Sequence, residues 1–388
     1  MATRKRRRDK GSGSVYEFPT GKWQAALEID GRMRRRNAVD RKAAELALAG
    51  LIALRDKGID VGGGSQCLRL WLQTWLAQVA RDAKPKTVAD YRQQIESYIL
   101  PVLGEMRLDA IRAHHVQSFL NTIVDGIRAN TAYRGTRTAR LCALRLTQAF
   151  DLAVARKVLL DSPMAGVLLP KDKPAPITPL TEAQVAAFLR VALTHPLAGL
   201  WHAYALLGVR RGEGLGLRWA DVDFEAGTIT ITQQVQTIPG SGETKSHNLI
   251  SSPKSAAGTR TLPAPAVLLT LLRTARTVQL AVRVKRANTW TDNDLVFCAR
   301  DGQPLWPRSA LDEWYALRDA SGLPNTTKLH HLRHTLATLL DESGASEALK
   351  AGILGHETRT VTLRYTHARL AAMRTVLETV AEKVAQAA

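Results

Sequence analysis

Polar and apolar residues alternate along GSVYEFPTGKWQAALEIDGRMRRRNAVD, and the alternation breaks at Pro19-Thr20-Gly21-Lys22 and at Asp30-Gly31. A period of two interrupted by turn residues predicts three short strands. The period then lengthens in RKAAELALAGLIALRDKG, which predicts a helix ending at Gly58. Residues 14–60 therefore form a small sheet-plus-helix module. After the linker DVGGGSQ the helical period continues from residue 65 to about residue 160. Leu68, Trp71, Leu72, Trp75, Leu76 and Val79 recur at helical spacing, as core residues would. Thr87 is expected to cap the next helix, with Pro101 and Gly104 stopping it. Two more helices follow, in DAIRAHHVQSFLNTIVD and in a long segment carrying Arg134, Arg137, Arg140 and Arg145. One basic face and one apolar face are expected on these helices.

Five prolines between Pro163 and Pro179 mark the clearest boundary. Thr181, with Gln184 three places on, predicts a capping box and a new helix. Helical pattern runs to Ala220, then come the strand-like GTITITQQVQTI, a polar excursion to Pro253, TRTLPAP, and helices to the end. The expected fold class is α+β and multidomain: an N-terminal three-stranded sheet plus helix, a helical domain, and a mainly helical domain with a small antiparallel sheet. The expected bounds are a basic tail over 1–13, then 14–60, 65–165 and 176–388.

Length and charge turn this outline toward a partner. A chain of 388 residues, 45% of them hydrophobic, can fill two or three cores. With 54 Lys and Arg against 35 Asp and Glu, a net charge of +19 favours a polyanion. Nucleic acid is the first candidate and an anionic membrane surface the second. No run approaches the roughly 18 apolar residues of a spanning helix, and MATRKRRRDKGSGS lacks a signal-peptide core, so a soluble intracellular protein is expected. Cys67, Cys142 and Cys298 are odd in number and far apart, which suggests core residues rather than disulfides or a zinc site. The run Arg4 to Arg8 reads as a nuclear address, a phosphate-seeking arm or a plain tail. Arg32, Arg34, Arg35 and Arg36 lie where a β-ribbon could enter a DNA groove, or where a charged hairpin is simply solvated.

Four segments of the last domain carry candidate chemistry. In LLGVRRGEGLGLRWADVDF an apolar run ends at Arg210, and Glu213 lies one turn on, where it could hold the guanidinium. In SSPKSAAGTRTLP, Lys254 is placed at the tip of a hairpin after the Thr/Ile strand and Arg260 begins the return strand. In LHHLRHTLATLL, His330, Arg333 and His334 share one side of a helix whose apolar face is Leu332, Leu336, Leu339 and Leu340. Zinc is disfavoured there without a neighbouring Glu or Cys ligand, and a core role suits His334. The fourth segment, LGHETRTVTLRYTH, holds His356 and Tyr365.

Together these segments resemble the tyrosine recombinase family, of the phage and conjugative-element integrase type. The resemblance runs over essentially the whole chain. It implies Arg210, Lys254, His330, Arg333 and His356 as catalytic residues and Tyr365 as nucleophile. Lys245 in ETKSHN is the rival to Lys254, with the spacing to TRTLP favouring the latter. His331 stands where Asp is frequent, and Leu206 where Thr often precedes the glycine.

The residue types fit the chemistry. Attack on a phosphodiester builds charge on two non-bridging oxygens, which two planar guanidiniums match. A tyrosine, with an ordinary pKa near 10, needs a base or a cationic setting. The resemblance further implies an arm-type DNA-binding domain at 14–60, a core-site-binding domain at 65–165, and a catalytic domain at 176–388. It implies a cytoplasmic, nucleoid-associated enzyme on double-stranded DNA attachment sites, a homotetramer there, with an excisionase and a DNA-bending protein as further partners. No membrane, metal, ATP or cofactor is expected. Arg134, Arg137 and Arg140 are expected DNA contacts beside the ribbon arginines. A type IB topoisomerase and a chromosome-dimer-resolving recombinase are the alternatives. The last helix carries a stripe of Leu370, Met373, Val376, Leu377, Val380 and Val384, expected on a neighbouring protomer or on its own domain.

Overall fold

The computed structural model describes residues 12–29, 32–58, 65–126, 135–171, 176–240, 244–253, 256–356 and 367–387. Two compact units divide the chain, 1–174 and 175–388. The first opens with β1 (Ser14–Glu17), β2 (Trp23–Ile29) and β3 (Arg32–Ala38), an antiparallel sheet in that order. Helix α1 (Arg41–Asp56) follows, its first turn capped by Asp40, which accepts from Ala43 N at 2.7 Å. Leu51 of α1 packs on Leu27 and Ile29, closing a small separate core. The strand period divides the ribbon arginines. Arg34 and Arg36 are half-buried whereas Met33 and Arg35 are exposed, so they do not form one basic face. Arg36 is engaged already, 3.7 Å from Asp109. The side chain of Arg32, the whole of Arg134 and residues 1–11 lie outside the described residues.

The helical part contains α2 (Leu68–Val79), α3 (Pro85–Gln94), a π turn (Ile95–Ile99), α4 (Leu100–Leu103), α5 (Ala113–Asp125) and α6 (Thr136–Ala155). Trp71 and Trp75 are core, as the spacing implies, and Trp71 donates to Ala149 O at 2.8 Å. Two expectations fail here. Thr87 lies inside α3, which begins at Pro85, because proline suits the first helical turn and needs no N–H there. Nor does Pro101 stop the helix. A π turn widens the backbone just before it, and the chain continues helically to Leu103. On α6, Arg137 and Arg140 are exposed, but Arg145 is buried over the Tyr91 ring at 3.7 Å. Arg145 therefore does not belong to the basic face.

The second unit begins with α7 (Glu182–Ala192), capped reciprocally by Thr181 and Gln184 as expected. Helices α8 (Ala198–Leu206) and α9 (Arg211–Leu215) follow, and all nine residues of α8 are buried. Strands β4 (Val222–Asp223), β5 (Thr228–Ile231) and β8 (Arg260–Pro263) form one sheet. Between β5 and β8, strands β6 (Gln234–Ile238) and β7 (His247–Ser251) form a hairpin of their own. The expected return of Arg260 to the Thr/Ile strand holds, with Arg260 opposite Ile231. Residues 239–246 connect β6 to β7, and Lys254, expected at a hairpin tip, lies outside the described residues. The remaining helices are α10 (Ala266–Lys285), α11 (Pro307–Ala320), α12 (Leu329–Glu342), α13 (Glu347–Leu354) and α14 (His367–Gln386). Met373, Leu377, Val380 and Val384 of α14 are buried in this unit's own core. No helix among the described residues is long and apolar enough to cross a membrane.

One buried bond ties the start of this unit to α12: Leu180 N donates to Thr335 Oγ1 at 2.9 Å. Thr335→Val keeps the shape but removes the acceptor, and is expected to destabilise the unit by roughly 1–3 kcal/mol. Urea unfolding followed by tryptophan fluorescence measures this, and an unchanged midpoint would count against it.

Candidate active site

Three arginines converge on one helix end. Helix α13 closes at Gly355, whose φ of 65° lets Gly355 N and His356 N both turn back to Ala351 O. The carbonyls of Ile353, Leu354 and Gly355 are then left for other donors. Each receives a different guanidinium. Arg260 Nε donates to Ile353 O at 2.8 Å, Arg333 Nη2 donates to Leu354 O, and Arg210 Nη2 donates to Gly355 O at 3.3 Å. The negative end of a helix dipole suits cations there. A side chain at Gly355 would bring its Cβ to 2.9 Å from Ala257 O and from Arg260 Nη1, so the turn requires glycine.

The surrounding elements place each arginine. Arg210 follows α8 through Gly208, whose φ is 58°, and stands at the N-cap of α9. Glu213 in the first turn of α9 accepts from Arg210 N at 3.0 Å and from Arg210 Nη1 at 2.7 Å, as the spacing suggested. The other oxygen partner was not foreseen: Arg260 Nη2 reaches Glu213 Oε2 at 3.0 Å. Arg333, on α12, is buried and donates through Nη1 to Gly208 O at 2.6 Å. The carbonyl of the turn that aims one arginine thus holds the other.

The electrostatics describe a site short of negative charge. Burial pushes the Glu213 carboxyl up, but Arg260 and Arg210 outweigh it and hold its pKa below the ordinary value. Arg333 is pushed down to about 9 by burial and by Arg210 and Arg260, with Glu213 opposing. Its guanidinium still carries charge at neutral pH. His330 is exposed, yet its pKa falls to about 4. Desolvation by the surrounding protein leads, followed by His334, Arg333, Arg210 and His331. His334 meets His330 edge-on at 4.8 Å. His356 is lowered too, by burial first and then Arg333, Arg210 and Arg260, which places it beside the cluster.

Arg210, His330, Arg333 and His356 are thereby brought into one site. Lys254 and Tyr365 lie outside the described residues, while Lys245 is exposed beyond β6. Residues 178–371 match the model described as Phage integrase family, and 68–124 match Phage integrase, N-terminal SAM-like domain. The chain belongs to the phage integrase family. It is 26% identical to an integrase of Saccharopolyspora erythraea, over 95% of each chain. Among solved structures, the Tn1549 transposon integrase in complex with transposon right end DNA superposes with a TM-score of 0.59 at 20% identity, covering 78% of this chain and 97% of that one. A lambda integrase tetramer bound to a Holliday junction gives 0.55 at 18% identity, covering 96% and 97%. These likenesses are of fold. Family membership makes the chain a tyrosine recombinase of integrase type, as the motifs implied.

Sequence reasoning missed Arg260 as a member of this cluster. The available signal was an arginine two places before Leu262, on the same face of a strand that runs into apolar residues, a place where a charge needs a buried partner. For His330, a depressed pKa means the ring stays neutral through pH 6 to 8 and gains a proton only as pH falls toward about 4. An NMR titration of the DNA-free protein, assigned with His330→Gln, should find no midpoint for this ring above 6. A midpoint there would overturn the reading of a cation-crowded site.

Proposed function

We propose that the chain is an integrase that cleaves and rejoins DNA at attachment sites through a 3′-phosphotyrosine at Tyr365, integrating and excising a mobile element. The observation that carries this is the pair Arg210 and Arg333, both tied in place by protein groups before any DNA arrives. Such preorganised donors suit the charge that grows on the two non-bridging oxygens. Neutral His330 is the base that takes the phenolic proton as the tyrosyl oxygen bonds phosphorus. The bond from phosphorus to the 5′-oxygen breaks, and Lys254 gives that oxygen its proton. His356 hydrogen-bonds the phosphate.

The phosphotyrosyl ester keeps the energy of the broken bond. A 5′-hydroxyl from a second duplex can therefore displace Tyr365 without ATP, and with guanidiniums holding the charge no metal is required. Residues 14–60 serve as the arm-type DNA-binding domain, 65–165 as the core-site domain and 176–388 as the catalytic domain, with 1–13 a basic tail. Exposed Arg35, Arg137 and Arg140 are the best placed of the expected phosphate contacts. The working form is a homotetramer on DNA in the bacterial cytoplasm, assisted by an excisionase and a DNA-bending protein. The lambda tetramer supports that assembly by its fold.

Two duplexes carrying the junction sequences of the encoding element should yield exchanged products, and Tyr365→Phe should yield neither product nor covalent adduct. Relaxation of a single duplex without exchange would instead favour a topoisomerase. Arg210→Lys or Arg333→Lys is expected to slow cleavage by roughly 10²–10³. Lys254→Ala should slow cleavage of an ordinary duplex but not of one with sulfur at the 5′-bridging position, since thiolate leaves unprotonated. If Lys245→Ala shows that pattern instead, the proton donor is Lys245.

A further inference from the structure

Arg260 is the most deeply buried charge of the cluster, and no step above uses it. Its side chain has no exposed surface, so it cannot meet a DNA phosphate directly. Each of its three nitrogens donates to a protein acceptor: Nε to Ile353 O at 2.8 Å, Nη1 to Gly258 O at 2.9 Å, and Nη2 to Glu213 Oε2 at 3.0 Å. Those acceptors lie on three stretches that build the site: the end of α13, the approach to β8, and α9.

The bond to Glu213 has an electrostatic consequence. Glu213 is the carboxylate that holds Arg210, and a carboxylate free to face one guanidinium pairs with it through both oxygens. Here Oε1 accepts from Arg210 Nη1, while Oε2 is shared between Arg210 N and Arg260 Nη2. Arg260 thus draws one oxygen away from the Arg210 guanidinium, whose side chain keeps 36% of its surface exposed. Without that pull, the single carboxylate would turn wholly onto Arg210 and cancel the charge meant for the phosphate.

We propose that Arg260 is a positioning residue for strand cleavage: it divides the Glu213 carboxylate between two guanidiniums, so that Arg210 is held in place yet remains cationic toward the scissile phosphate. It also fixes the last turn of α13, from which the chain runs on toward Tyr365. Arg260 acts through Arg210 and touches no reacting atom. The inference rests on the recombinase reading of Arg210.

The test compares two substrates. A nicked suicide duplex with the element's junction sequence is prepared with an ordinary phosphodiester, and again with a methylphosphonate at the cleavage position. The methylphosphonate lacks the non-bridging charge, so it asks less of Arg210. Arg260→Met and Arg260→Lys are expected to bind the duplex within about threefold of the parent, judged by mobility shift. On the phosphodiester, Arg260→Met should form the covalent adduct about 10- to 100-fold more slowly, which corresponds to one or two powers of ten at ~1.4 kcal/mol each. On the methylphosphonate the loss should be no more than about threefold. Lysine, whose single nitrogen can meet Glu213 or Ile353 O but not both, should show a smaller loss with the same bias. A merely structural role would lower both substrates equally, and that outcome, or full activity on both, overturns the proposal. If Arg260→Met does not fold, the same ratio measured on Arg260→Lys decides. Should the parent protein itself form no adduct, the recombinase reading fails instead, which keeps the two failures apart.

Discussion

The site depends on a helix end that is used as an acceptor. Last-turn carbonyls of a helix have no intrahelical donors and must find partners elsewhere. In α13 the carbonyls of Ile353, Leu354 and Gly355 find Arg260, Arg333 and Arg210. Three guanidiniums crowded together would repel one another. The carbonyls, the helix dipole and Glu213 make that crowding tolerable while leaving a surplus of positive charge for an anion to neutralise. The Gly355 turn is the condition for all of it, because the left-handed backbone sends the amides of Gly355 and His356 back to Ala351 O.

Much of this was legible in the sequence. The alternation over residues 14–38, the Trp71/Trp75 stripe and the Thr181–Gln184 box each state a local preference that the fold keeps, because nothing distant opposes it. Arg210, His330, Arg333 and His356 could be picked out because their motifs resemble a known family. The partners of those residues could not. Arg210 and Gly355 are 145 positions apart, and nothing local in either segment announces that one will cap the other.

The misreadings share a cause. Thr87, Pro101 and Arg145 were read by residue type, but each is governed by its setting. Pro85 takes the start of α3, a π turn makes room before Pro101, and Tyr91 offers an aromatic face for Arg145. Nor does the run of ribbon arginines show which of them stay free: the pleat leaves Arg35 exposed and Arg34 half-buried, and Arg36 lies beside Asp109. The excursion between β5 and β8 holds a hairpin of its own, β6 paired with β7, which the polar pattern there did not announce.

Helix α8 has a consequence of its own. It is buried on every side, it ends at the turn that aims Arg210, and the carbonyl of that turn holds Arg333. The two guanidiniums therefore hang from one post and have no independent freedom to lose when DNA arrives. The entropy of bringing them to a common spacing is borne when the protein folds, not when the strand is cut, so it enters the stability of the domain rather than the barrier to cleavage.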